Sequence, residues 1–185
     1  PANQMTPGRT GYGDNNNIRV FRYADVLLKK AECLLRLGGY KGETEQDAAD
    51  LVTQVRARNF KSNPAKAVRT VAQLKGGSNY PYGHRENRNE MGKNDPTKIF
   101  NEIEGGADIE LGGLLDERAW EFVGEYVRRQ DLIRFKMTNG QNVYNGKSWF
   151  CKPRVTDVSD NHLNIFPIPK EAIEGNVKLK QNPGY

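Results

Sequence analysis

The chain has 185 residues, 36% of them hydrophobic, which fits one domain with a real core, while 19 glycines and a mean hydropathy of -0.80 imply much irregular, solvated surface. Its formal charge of +5 comes from 28 Lys and Arg interleaved with 23 Asp and Glu, so no basic stripe forms and nucleic-acid binding is set aside. No segment approaches the roughly twenty apolar residues of a membrane-spanning helix. No charged-then-apolar leader precedes Pro1, and a chain that begins at Pro1 without Met reads as a fragment of a longer one. Cys33 falls in a helical apolar pattern and Cys151 follows Trp149-Phe150, neither with metal-ligand spacing or a redox neighbour. Both are read as buried thiols, and an oxidising compartment would also permit a disulfide between them.

Met5 to Asn17 is rich in Gly, Asn and Pro and reads as loop. Its Asp14-Asn15-Asn16-Asn17 run lacks the sixth-position Gly and twelfth-position Glu of a calcium loop, so turn chemistry is preferred. From Arg22 to Leu37, Tyr23, Val26, Leu27, Ala31, Leu34 and Leu35 mark one apolar face of a helix that Gly38-Gly39 stops. A second helix is expected over 45–58, capped by Thr44 with Asp47 in capping-box position and with Ala48, Leu51, Val52 and Val55 facing inward. The short connector makes the two an antiparallel hairpin resembling one tetratricopeptide-type unit, and further units would lie upstream.

Between Gly76 and Ala107 the periodicity disappears, and a long irregular loop is expected. Tyr80 and Tyr82 offer flat apolar faces suited to the C–H face of a pyranose ring, and Asn79, His84, Arg85 and Asn87 could hydrogen-bond its hydroxyls. An ordinary surface excursion held by Tyr-Pro-Tyr packing has the same composition. Residues 108–123 read as a third helix with Leu111, Leu114, Leu115, Ala119, Phe122 and Val123 inward. Asp116, Glu117, Arg118, Glu121, Glu125, Arg128 and Arg129 fall on its opposite side and beyond, where structural ion pairs are expected, Arg118 with Glu121 and Arg128 with Asp131 among them. The 140–152 loop, with Tyr144 and Trp149, is a second candidate sugar platform, while Phe150 suits the core. Finally, Phe166-Pro167-Ile168-Pro169 must be an extended strap whose Phe166 and Ile168 pack on something.

The order of Phe166-Pro167-Ile168-Pro169, Lys170-Glu171-Ala172-Ile173, Asn176, Leu179 and Gln181-Asn182-Pro183-Gly184-Tyr185 resembles the C-terminal signature of the SusD/RagB family. Arg22-Tyr23-Ala24-Asp25-Val26-Leu27-Leu28 with Ala31-Glu32, then Val55-Arg56-Ala57-Arg58, resemble two of its helices. Glu117-Arg118, Glu121-Phe122, Glu125, Arg128-Arg129, Asp131-Leu132 and Arg134 resemble its charged block, with Tyr126 standing where the family usually has glycine. The resemblance implies a mainly α fold of tetratricopeptide-like hairpins with long loops. It also implies a surface-exposed nutrient-binding lipoprotein of the Bacteroidetes outer membrane, without catalysis or cofactor. Its anchor would lie upstream, its partners being an oligosaccharide and a SusC-like TonB-dependent transporter. The family's glycan contacts follow no motif, so the ligand-binding candidates remain Asn79, Tyr80, Tyr82, His84, Arg85, Tyr144 and Trp149.

Two other function classes stay open. A glycosidase would need two carboxylates across a sugar cleft, and Glu102, Glu104, Asp108 and Glu110 are the acidic cluster near the candidate loop. A pure protein-interaction scaffold would use the helical hairpin alone. His84 and His162 lack a nearby nucleophile pattern.

Overall fold

A computed structural model describes residues 21–84, 101–147, 157 and 159–185. Among them run seven α-helices and one two-stranded sheet, a mainly α architecture as expected. None of the described helices is long and apolar enough to cross a membrane.

Helices α1 (Tyr23–Leu37) and α2 (Glu45–Ala57) form the expected antiparallel hairpin. Gly38 takes the left-handed conformation at φ 69° and donates its N–H to the Leu34 carbonyl, which ends α1. At the start of α2 the Asp47 carboxylate accepts the Thr44 N–H at 2.6 Å while the Thr44 hydroxyl accepts from Asp47, closing the capping box. The inner face of α2 holds Ala48, Val52 and Val55, with Leu51 half-buried. The inner face of α1 differs from expectation. Ala24, Leu28, Ala31, Leu34 and Leu35 are buried together with Asp25 and Glu32, whereas Tyr23 and Val26 are 72% and 56% exposed. Two carboxylates occupy inward positions that a hydropathy reading assigns to apolar side chains, and they can do so because each is paired.

A 3-10 turn (Pro64–Ala67) and the short helix α3 (Val71–Lys75) lead into strand β1 (Ser78–His84), which pairs antiparallel with β2 (Asn101–Gly106). The ends of the 76–107 segment are therefore strands rather than irregular loop. Their ladder is broken by register shifts on either side of Tyr82, next to Pro81, which has no N–H to give it. Helix α4 (Gly112–Glu121) begins four residues later than expected, after Leu111 at φ 54°. Its two leading glycines are a packing requirement. A Cβ on Gly112 would stand 2.0 Å from the Ser78 nitrogen, and one on Gly113 1.9 Å from the Gln73 carbonyl oxygen. Val123 lies beyond the helix and is 78% exposed, not inward. Helix α5 (Arg128–Arg134) follows a turn in which Tyr126 sits at φ 62°, fully open to solvent. Left-handed backbone there is what a glycine would take at no cost.

The 140–152 segment is not wholly loop, since α6 (Val143–Gly146) carries Tyr144. The C-terminal strap runs extended into α7 (Lys170–Gly175). Ile168 is half-buried, but Phe166 is 71% exposed, its ring lying 4.2 Å from the Arg129 guanidinium. Gln181 accepts the Ile168 N–H at 2.8 Å and donates to its carbonyl at 2.9 Å, Asn182 donates to Phe166, and the Tyr185 hydroxyl donates to Ile165.

The charged residues of α4 do not form a solvated face. Asp116, Glu117 and Arg118 are buried. Arg118 donates to Asp25 at 2.9 Å and to Asp131 at 2.8 Å, joining α1, α4 and α5. Arg134 bridges Asp131 and Glu32, each at 2.7 Å. Glu117 accepts from Arg56 at 2.6 Å and Arg69 at 2.5 Å, and Arg22 holds Glu121 and Glu125. Ion pairing is as expected, but the partners are not the near neighbours named above: they come from other elements, and Arg128 serves a different purpose.

Replacing Arg118 with Met should cost about 3–5 kcal/mol in urea unfolding, because two buried carboxylates each lose one of their two cations. Asp25 adds a pH signature. Burial pushes its carboxyl up, but hydrogen bonds from Lys29 and Arg118, helped by their charges, outweigh this and hold it below the ordinary 3.8. Its stabilisation is complete above that value and lost as pH falls through the lowered one. Asp25→Asn should therefore be less stable than the parent at pH 6 by about 1–3 kcal/mol, with the gap closing as the pH falls below 3.8. Tyr126→Gly should raise the urea midpoint by removing about 1 kcal/mol of left-handed backbone cost, whereas Tyr126→Val should lower it.

Candidate ligand-binding surface

Strand β1 is pinned to α4 by one carboxylate. Asp116 accepts the Ser78 hydroxyl at 2.5 Å and the Asn79 N–H at 2.7 Å, and burial pushes its carboxyl up from the ordinary range despite those donors. Pinned there, the strand sends Tyr82 inward and leaves Asn79, Tyr80 and Pro81 outside. Tyr82 is 1% exposed, so its faces belong to the core and cannot serve as a sugar platform. It supports Tyr80 instead, edge to face at 5.2 Å between ring centroids. Tyr80 is 49% exposed.

Arg128, at the start of α5, completes this arrangement. It donates to the Tyr82 hydroxyl at 3.1 Å and to the Leu115 carbonyl at 3.0 Å, and its guanidinium carbon lies 5.7 Å from the Tyr80 centroid. The result is an exposed aromatic ring with a fixed cation beside it and the Asn79 side chain on the same strand. Sequence reasoning placed Arg128 among ion pairs. Its neighbour Arg129 does the matching work elsewhere, stacking between Tyr144 at 5.1 Å and Phe166 at 4.2 Å and donating to the Leu163 and Asn164 carbonyls. Two consecutive arginines thus flank Tyr80 and Tyr144, two of the four aromatic candidates that composition singles out. The doubled arginine itself is the available signal.

Of the other candidates, His84 ends β1, its backbone in register with Asn101. Arg85, Asn87, Trp149 and Phe150 lie outside the described residues, as do the 5–17 loop and Cys151. Cys33 is exposed rather than buried. In the acidic cluster, Asp108 accepts from Lys147 at 2.8 Å. Among the described residues no group of three His, Cys, Asp or Glu is arranged to hold a metal.

A second concavity was not foreseen. Leu28, Val52 and Val55 floor a cleft of about 220 Å³ between the hairpin and α4, walled by Phe60 and Trp120 and rimmed by Arg56, Asn59, Glu117 and Glu121. Its charged groups are already paired, Arg56 with Glu117, and Glu121 with Arg22 and Arg58.

Fold and surface together define a helical scaffold that fixes an aromatic and cationic surface through buried ion pairs. The SusD family model matches residues 3–185, and the chain belongs to the SusD family. It is 27% identical over 172 residues to the starch-binding protein SusD of Bacteroides thetaiotaomicron, a match covering 92% of this chain and 22% of that protein. It is 29% identical over 178 residues to the SusD-like protein P25 of Formosa agariphila, covering 94% of this chain and 26% of that protein. The chain thus spans about a quarter of the length of these curated relatives. No solved structure matches significantly.

Asp116→Ala would leave the Ser78 hydroxyl and Asn79 N–H without their acceptor and should cost about 2 kcal/mol in urea unfolding. Tyr82→Phe, which removes the hydroxyl's contacts to Arg128 and Ser78, should cost about 1 kcal/mol.

Proposed function

We propose that the chain is part of a non-catalytic, carbohydrate-binding protein that acts at the outer-membrane surface and passes its ligand to a TonB-dependent transporter. The observation that carries this reading is the exposed Tyr80 ring, backed by Tyr82 and flanked by Arg128, in a member of the SusD family. A sugar ring presents C–H groups to an aromatic face and hydroxyls to polar neighbours, and Tyr80 with Asn79 and Arg128 offers both. His84, which ends the same strand, and Arg85, next in sequence, are further proposed contacts, and Tyr144 with Trp149 forms the second proposed contact region. One relative is named as a starch-binding protein, which supports a glucan as the first ligand to try.

Titration of the protein against a panel of neutral oligosaccharides, followed by tryptophan fluorescence and calorimetry, should give saturable binding without release of reducing sugar. Tyr80→Ala should weaken it about three- to ten-fold, the worth of one aromatic contact, with the Tyr144→Ala, Trp149→Ala pair reporting on the second region. Affinity unchanged in both variants would remove both regions, and new reducing ends would remove the non-catalytic reading.

A further inference from the structure

Arg128 and Arg129 stand apart from every other arginine among the described residues. The others, from Arg22 to Arg134, each donate to a carboxylate of the chain. The hydrogen bonds of Arg128 and Arg129 end on neutral oxygens instead: the Leu115 carbonyl and Tyr82 hydroxyl for one, the Leu163 and Asn164 carbonyls for the other. Neither cation has a bonded anion among the described residues.

The two are not equivalent. Arg129 is stacked between Tyr144 and Phe166, its Nε is buried, and its bonds tie it to the backbone that leads into the strap. Arg128 is half-buried, keeps N–H groups to spare after its two bonds, and stands beside the half-exposed ring of Tyr80. Asp116 is the carboxylate that acts on Arg128 through space, and both of its oxygens are taken by the Ser78 hydroxyl and the Asn79 N–H. It tempers the cation without occupying its N–H groups. A cation held by neutral acceptors at the start of a helix whose position the buried ion pairs fix keeps those groups for an anion arriving from solvent.

We propose that this surface selects acidic sugars: the carboxylate or sulfate ester of the sugar bonds Arg128 while the C–H face of the same ring lies on Tyr80. This rests on the carbohydrate-binding reading above and sets the ligand class within it. The planar N–H edge of a guanidinium matches the paired oxygens of either anion, and an aromatic ring beside it takes the apolar face that an isolated anion lacks. Asn79 remains for hydroxyls, which neutral and acidic sugars share. A polyanion such as a nucleic acid would call for a row of free cations, whereas the neighbouring Arg129 is committed to its rings and carbonyls.

The test compares each neutral oligosaccharide of the panel with its C6-oxidised and C6-sulfated forms by calorimetry. An acidic form should bind about five- to ten-fold tighter than its neutral parent at low salt, the strength of one charge-assisted bond at a half-exposed site. The advantage should shrink toward equality as salt rises, a result that needs no variant and stands even where a substitution of Arg128 unfolds the chain. Arg128→Gln should bring acidic and neutral forms to the same affinity, and Arg128→Lys should restore part of the difference. Tyr80→Ala should weaken all forms together and leave their ratio unchanged. Equal affinity for neutral and acidic forms, each still dependent on Tyr80, would overturn this proposal and leave the carbohydrate-binding reading in place. A preference that survives Arg128→Gln or ignores salt would overturn it as well, and binding of no form at all would remove both.

Discussion

Arg118 is the joint on which the helices turn. Its guanidinium lies in the core with carboxylates of α1 and α5 on either side, so the relative placement of three elements is set by charges that cannot return to water without unfolding. A buried ion pair adds little net stability over a well-packed apolar contact, but it punishes every arrangement in which one partner is stranded. Arg134 extends the chain of charges to Glu32, and Glu117 repeats the pattern with Arg56 and Arg69. The fold is thus specified by polar registration as much as by hydrophobic volume.

That registration is what aims the surface. Arg128 and Arg129 stand next to each other at the start of α5, whose position Asp131 fixes from one turn further on. One reaches toward β1 and the other toward α6 and the strap. Because α5 is anchored from beneath, Tyr80 on β1 and Tyr144 on α6 stand beside cations whose positions the buried ion pairs fix. Rings held still before a ligand arrives lose less freedom when it binds.

The elements legible in the sequence were those whose signals are local. The α2 capping box, the glycine stop of α1 and the extended strap each depend on residues within a few positions of one another. Tyr23 and Val26 were assigned to the core because spacing alone cannot tell which of two apolar faces is covered, and Asp25 and Glu32 were overlooked there because their cations lie about a hundred residues away, or on the outer side of the same helix. Strand pairing across residues 78–106 was invisible for the same reason, with Pro81 and the glycines masking any alternation. At the candidate surface, composition found Tyr80 and Tyr82 but not which of them faces out. That is decided by Asp116, far along the chain.

The Gln181 amide bonds both polar groups of the Ile168 backbone, as an adjacent strand would. The extended segment is thereby spared from being an open template for other chains. A run of Phe-Pro-Ile-Pro with open backbone groups would otherwise invite edge-to-edge association, and here a single side chain, with the prolines on either side of Ile168, closes that route.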